Sequence, residues 1–243
     1  ARRRNAIIRA AIILGIIHVV TGLLLTNLRL LDPRQYLILF SNGLIYSIIV
    51  LGILPVCELL FHTVTNISLL EMADFNHPLL HRLMLEAPGT YHHSLIVGNL
   101  SEAACSSVGA NSLLARIGAY YHDIGKLTKP EYFSENQEMA SSKHDALSPT
   151  ISKMVIMNHI KEGVELARQN HLNTRIIDYI QYHHGPSLVY YFYRRALERL
   201  EDTQEVAEEG FRYPGPKPRT KEIAVVLLAD SVEAATRSMR NPS

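Results

Sequence analysis

Apolar residues run almost unbroken through the N-terminal part of the chain and then separate into spaced stripes, so the two parts are built for different solvents. From Ala10 to Leu28 there is no Asp, Glu, Lys or Arg. At the helical rise that stretch reaches about 28 Å, the thickness of a bilayer's hydrocarbon core. A second uncharged run, Leu37 to Cys57, is slightly longer, with Pro55 and Glu58 marking its approach to the interface. Between the runs, Arg29 to Tyr36 contains Asp32-Pro33, which favours a turn and makes the pair a helical hairpin. Arg2, Arg3, Arg4 and Arg9 flank the first run, and the positive-inside rule puts that end in the cytoplasm. Two spans return the chain to the same side. The first run is long and no small-residue cleavage site follows it, which excludes a signal peptide.

Beyond the hairpin no stretch alternates apolar and polar residues as a half-buried strand would, so the fold class is all-α: two transmembrane helices, then a cytoplasmic helical bundle. The organisation is a membrane hairpin over residues 1–61 and a soluble domain over residues 62–243. Helices are predicted at Ile67 to Asp74, Pro78 to Glu86, Tyr91 to Val108, Ser112 to His122, Pro149 to Gln169, Asn173 to His183, Leu188 to Glu208 and Lys221 to Arg240. Pro78 suits a first turn, Thr90 an N-cap after Pro88-Gly89, and Gly125 and Gly185 helix ends. Tyr213-Pro-Gly-Pro-Lys-Pro218 lacks the backbone donors a helix needs and reads as a loop. The acidic positions Glu198, Glu201, Asp202, Glu205, Glu208 and Glu209 read as a solvated helix face.

Composition changes this picture in three ways. The formal net charge of +1 gives no sign of a nucleic-acid polymer as partner. Only Cys57 and Cys105 are available, so no disulfide framework holds the fold and a reducing compartment fits. Of 12 histidines, all but His18 and His62 lie between His77 and His184, which locates the chemistry.

The densest feature is His122-Asp123-Ile124-Gly125-Lys126, at the end of a predicted helix where backbone carbonyls present partial negative charge and attract a cation. His183-His184-Gly185-Pro186 repeats that setting. His159 lies among Met154, Val155, Ile156 and Ile160 and by itself reads as a core residue; beside the other donors it becomes a ligand candidate. His92-His93 opens a helix. Asp230 sits in an otherwise apolar helix, where a carboxylate needs a salt bridge, a capping role or a metal. Several imidazoles with two carboxylates suit iron, manganese or zinc, and offer too few oxygens for calcium. His18, His62, His77, His81 and His171 read as structural or solvated. His144-Asp145 is a second His-Asp pair in a loop before Pro149 and reads as a capping element.

These motifs, in order, resemble the HD-domain superfamily, and within it the seven-transmembrane HD phosphodiesterases that hydrolyse cyclic di-AMP. The resemblance covers the whole chain and rests on Asn76-His-Pro-Leu-Leu80, Glu86-Ala-Pro-Gly-Thr-Tyr-His-His-Ser94, Tyr121-His-Asp-Ile-Gly-Lys126, Ser148-Pro-Thr-Ile-Ser152, Tyr182-His-His-Gly185, Phe211-Arg-Tyr-Pro-Gly-Pro-Lys-Pro218 and Ala229-Asp-Ser-Val-Glu-Ala234. It implies two divalent transition metals, iron or manganese, held by His93, His122, Asp123, His159, His183, His184 and Asp230. Asp123 is implied to bridge them, with His93, His122 and Asp230 on one metal and His159, His183 and His184 on the other. His93 is favoured over His92 because the family's ligand immediately precedes the serine. The chain opens at Ala1 with no initiator methionine, so it is expected to be a fragment that further spans or an external domain precede, and relative to the family it is cut short after Ser243.

The expected reaction is hydrolysis of cyclic di-AMP to linear 5′-pApA through a hydroxide activated by two metals, with Asp123 and Lys126 as catalytic residues. Lys126 is either a charge beside the phosphate or a solvent-facing helix end. The expected setting is the bacterial cytoplasmic membrane, with lipid and the dinucleotide as partners, signal-dependent regulation, and a homo-oligomer compatible with it. The alternatives are a nucleotide-binding receptor with a degenerate site and an HD hydrolase of another nucleotide. A cyclic di-GMP hydrolase of the HD-GYP type is disfavoured, because His184 is followed by Gly185-Pro-Ser-Leu.

Overall fold

A computed structural model of the chain describes residues 2–26, 32–137, 142–199 and 206–239, with side chains from residue 9 onward. Two compact units emerge, Ala1–Thr63 and Val64–Ser243. Every regular element among the described residues is a helix; the nearest thing to a strand is an isolated bridge between Leu188 and Arg212.

The first unit is a hairpin of α1 (Arg2–Leu25) and α2 (Pro33–Phe61). Asp32 accepts a hydrogen bond from the Arg34 N–H, Gln35 completes a capping box, and Pro33 takes the first turn, where its missing N–H costs nothing. Ala11, Gly15 and Gly43 are buried where the helices cross; a Cβ on Gly43 would lie 2.3 Å from the Gly15 nitrogen, so only glycine lets the backbones approach this closely. The large apolar side chains face outward instead, among them Leu25, Leu37, Ile48 and Leu59. The helix α2 is long and apolar enough to cross a membrane, with mean hydropathy 2.4, and Arg9–Leu25 of α1 forms a shorter apolar helix.

The second unit contains α3 (Asn66–Met72), α4 (Pro78–Glu86), α5 (Pro88–Ser107), α6 (Ser112–Tyr121), α7 (Pro149–Gln169), α8 (Thr174–Tyr182), α9 (Tyr190–Leu197) and α10 (Lys221–Ser238). Short 3₁₀ segments fill much of the connection from α6 to α7, beginning with Ile124–Thr128 directly after the His-Asp pair. Inward stripes recur at helical spacing: Thr90, Ser94, Val97, Ser101 and Cys105 on α5, and Ile223, Val226, Ala229 and Glu233 on α10. One core cluster joins α3, α4, α6 and α8 through Leu69, Leu83, Tyr121 and Ile180; a second joins α5, α6, α8 and α10 through Val97, Ala119, Tyr179 and Val226.

Several boundaries differ from the sequence expectation. The helix expected from Leu188 to Glu208 ends at Leu197, because the chain must come back for Phe211 to be buried and for Tyr213 N–H to donate to Ser187 O at 2.9 Å. Of the acidic positions, Glu201, Asp202 and Glu205 lie outside the described residues, as do the side chains of Arg2, Arg3 and Arg4. Thr90 is not an N-cap: α5 already starts at Pro88, and Asn136 Oδ1 accepts the Thr90 N–H at 3.0 Å from across the fold. Gly185 adopts φ +52° as a helix-ending glycine does, but Gly125 does not take a positive φ. Its requirement is space: a Cβ there would lie 1.8 Å from the His159 carbonyl oxygen on α7.

Candidate metal centre

Five helices deliver the donors. His93 points inward from the first turns of α5 while His92 is exposed, since neighbours on a helix diverge by about 100°. His122 and His183 are the C-cap residues of α6 and α8, which leaves Asp123 and His184 just past the helix ends. His159 lies mid-way along α7, and Asp230 lies on α10. His93, His122, Asp123, His159 and His183 are all at most 2% exposed, and the Asp230 and His184 side chains 14% and 21%.

The geometry separates these residues into two groups. In one, Asp123, His159, His183 and His184 offer ligand atoms within 4.8 Å of one another; in the other, His93, His122 and Asp230 do so. Asp123 faces both: its Oδ1 lies 3.4 Å from His159 Nε2 and 3.7 Å from His183 Nε2, and its Oδ2 lies 3.2 Å from His122 Nε2 and 3.6 Å from His93 Nε2. Asp230 lies 3.0 Å from His93 Nε2 and 3.7 Å from His184 Nδ1.

Hydrogen bonds on the outer side of the rings fix which nitrogen faces in. A carbonyl oxygen can only accept, so Nδ1 carries the proton in His122 (Ala119 O, 2.6 Å), His159 (Ile156 O, 2.5 Å) and His183 (Tyr179 O and Ile180 O, both 3.0 Å). His93 Nδ1 meets Glu233 Oε2 at 2.5 Å in the same way. In the neutral rings the Nε2 lone pairs are then aimed at the carboxylate oxygens of Asp123 and Asp230. Electron-rich atoms facing each other in a buried space repel unless a cation lies between them. His93 Nε2, His122 Nε2 and Asp123 Oδ1 are buried without a hydrogen-bond partner, as expected of atoms whose partner is a metal ion. The donor set therefore fits divalent metal.

Titration behaviour agrees for the group of His159, His183 and His184, whereas burial lowers His122 by less than the adjacent Asp123 and Asp230 carboxylates raise it. Burial pushes His184 down to about 3 and, with His184 and His122 beside it, holds His183 well below the ordinary imidazole range, so both keep a free lone pair at neutral pH. Burial alone would raise Asp123 and Asp230; the surrounding His122 and Lys126, and His93 and His122, outweigh it and keep both carboxylates ionised.

Lys126 is not a solvent-facing helix end. Its Nζ lies 2.8 Å from Asp123 Oδ2 and 2.7 Å from Glu135 Oε1, with a side chain 13% exposed, against the face of Phe133. Burial would lower the lysine, but the two carboxylates hold it above its ordinary range and charged. Glu135 was not singled out from sequence, since its partners are distant in the chain. It reaches the site because Gly89 leaves room: a Cβ there would lie 1.8 Å from the Glu135 carbonyl oxygen. Glu233, also missed, lies one turn beyond Asp230 on the same face of α10, a spacing the sequence did offer as a signal.

A double-mutant cycle of Lys126→Met and Glu135→Gln, read by urea denaturation, is expected to give a coupling of about 1–3 kcal/mol. Glu135 is held below its ordinary 4.5 and Lys126 above its ordinary 10.5. Their contribution is therefore fully present between those values, and it fades as pH falls below 4.5 and Glu135 takes up its proton. Zero coupling at neutral pH would show that the pair contributes nothing.

None of the remaining histidines belongs to either donor group. His18 stacks on Tyr46, His62 is the left-handed C-cap of α2, His77 caps α4, and His81 and His171 are exposed. His144-Asp145 is no capping element either. Ser142 and Ser148 do the capping; His144 is buried against Phe192 with Nε2 on Tyr132 O, and Asp145 faces Arg195. Tyr213 stacks on His184 with ring centroids 4.2 Å apart, and a cavity of about 380 Å³ opens beside His159, lined by Phe133, Ile151, Met154 and Asn158.

A family model for the HD domain matches residues 90–235, from the start of α5 to α10, and so takes in every donor named above. The chain belongs to the HD-domain family. Among its relatives, the cyclic-di-AMP phosphodiesterase PgpH of Bacillus subtilis is 48% identical over 83% of this chain, and PgpH of Listeria monocytogenes 44% identical over 99%. The chain spans 28% and 34% of the length of those two proteins. The crystal structure of the L. monocytogenes PgpH HD domain in complex with cyclic-di-AMP is similar at a TM-score of 0.66 and 50% identity, covering 70% of this chain and 78% of that one. The helical HD domain is thus established independently of the motifs that first pointed to it.

Proposed function

We propose that this chain is the catalytic part of a membrane-anchored phosphodiesterase that hydrolyses cyclic di-AMP to linear 5′-pApA. The observation that carries the reading is the pair of donor groups sharing Asp123, in a chain related over most of its length to cyclic-di-AMP phosphodiesterases and to an HD domain that binds that nucleotide. His93, His122 and Asp230 would hold one metal, and His159, His183 and His184 the other, with one Asp123 oxygen toward each; iron and manganese suit this mixture of imidazole and carboxylate. Bound there, two divalent metals supply Lewis acidity toward a phosphate oxygen and lower the pKa of a water.

The chain's own residues do the rest. Asp123 fixes the spacing of the two groups. Lys126, kept charged by Glu135, places positive charge at the Asp123 edge of the site, where it favours a developing phosphorane charge. Water adds to phosphorus and one P–O3′ bond breaks, leaving a 5′-phosphate and a 3′-hydroxyl that takes the proton. The cavity beside His159 joins apolar walls to the Asn158 amide, a lining suited to a nucleoside.

The outward apolar side chains of α1 and α2 support two spans over residues 1–61 with the HD domain, residues 62–243, on the cytoplasmic side. Metal-loaded protein in detergent is expected to turn cyclic di-AMP into pApA, resolved by chromatography, and to cleave cyclic di-GMP far more slowly. Binding without cleavage would favour a receptor, and preference for another nucleotide would leave the metal centre standing while replacing the substrate.

A further inference from the structure

One histidine of the cluster is held differently from the others. His122, His159 and His183 each give their outer proton to backbone carbonyls, whereas His93 gives its proton to a carboxylate, Glu233 Oε2, at 2.5 Å. Glu233 is buried at 6% exposure, one helical turn from Asp230, and its other close charged neighbour, Arg237 Nη2, stands at 3.5 Å on the solvent side. A buried carboxylate is costly unless it is paired, and the close partner of Glu233 inside the fold is the His93 ring.

We propose that Glu233 is a positioning residue for the metal group of His93, His122 and Asp230, raising that group's affinity over the one containing His159, His183 and His184. The inference rests on the two-metal reading above. A carboxylate on Nδ1 locks the tautomer and ring orientation of His93 and, unlike a neutral carbonyl, pushes electron density toward Nε2, making it the stronger donor. The effect falls on one metal only, because Glu233 contacts no other donor of the cluster among the hydrogen bonds and ion pairs of the structure. The two metals are then unequal: one is held tightly, the other exchanges more readily.

Glu233→Gln tests this, since the amide keeps the size and the hydrogen-bond acceptor but removes the charge. Manganese is titrated into metal-stripped protein against a chromophoric chelator, with helix content checked by circular dichroism. The wild type is expected to bind two ions, one more tightly. In Glu233→Gln the tight step is expected to weaken about 10- to 100-fold while the weak step stays, so that the intact weak site reports a folded domain. His184→Ala is expected to spare the tight step and weaken the other, and the double variant to lose both. Wild-type binding of two ions with both steps unchanged in Glu233→Gln overturns the inference and leaves the two-metal reading intact. Wild-type protein that binds no manganese overturns both.

Discussion

Asp123→Ala is expected to abolish turnover, by about 10³-fold or more, and to leave the domain folded. The size follows from position. Asp123 is the residue whose two oxygens face both groups of donors, at 3.2–3.7 Å from four imidazole nitrogens. Removing one well-aimed stabilising donor in an enzyme site costs about 10²- to 10³-fold; losing Asp123 removes a donor from each group at once. The fold should survive because Lys126 retains Glu135 at 2.7 Å and so is not left buried without a partner. Asp123→Asn provides the companion measurement: it keeps the shape but removes the charge that attracts the metal ions, so its metal content should fall almost as far as in Asp123→Ala. Metal analysis beside pApA production checks both. Full occupancy with lost turnover would make Asp123 a catalytic group without a structural role in binding metal.

Gly125→Ala is expected to have the largest effect on stability, at least about 3 kcal/mol. Overpacking is often relieved by a side chain that swings away, but here the obstacles are backbone: His159 O at 1.8 Å, His159 C at 2.8 Å and Gly163 N at 2.5 Å. To admit one methyl group, α7 must move away from the Ile124–Thr128 segment, carrying His159 away from Asp123. For a domain of this size that corresponds to a fall in Tm on the order of 10 °C. Metal affinity should fall with it. Gly109 serves as the control: φ is +66° but nothing lies within 4 Å of the added Cβ, so Gly109→Ala carries only the left-handed backbone strain, about 1 kcal/mol. Equal melting of Gly125→Ala and wild type would remove the steric account of that glycine.

The pattern of the sequence disclosed what depends on local structure. Two uncharged runs show directly where α1 and α2 lie, and stripes at helical spacing give the helices of the domain, with Pro78–Glu86 and Pro149–Gln169 placed to the residue. The cluster was legible because His122-Asp123 and His183-His184 both occur at helix ends, a local feature with a physical reason. Contacts between distant segments were not legible. Gly125 looked like a helix stop because glycine commonly is one; its actual constraint comes from α7, more than thirty residues away. Thr90 looked like a cap because no sequence rule brings Asn136 to the start of α5. Glu135 escaped notice for the same reason, since it acts through residues it meets only in the folded chain; Glu233 was legible only as a neighbour of Asp230 on one helix face, because its partner His93 is 140 residues away.

The inequality of the two metals, if Glu233 sets it, bears on how activity would be gated. On that proposal the more tightly held ion would load first, and the weaker one would decide whether both donor groups are filled. The same titration carried out with substrate present tests the central claim most directly. Manganese is added stepwise to metal-stripped protein in cyclic di-AMP while linear pApA is followed by chromatography. Turnover should be absent in the stripped protein, remain low through the first equivalent, and reach its plateau at the second. Cleavage by the stripped protein, or nucleotide bound but uncleaved at every manganese level, would contradict a two-metal phosphodiesterase.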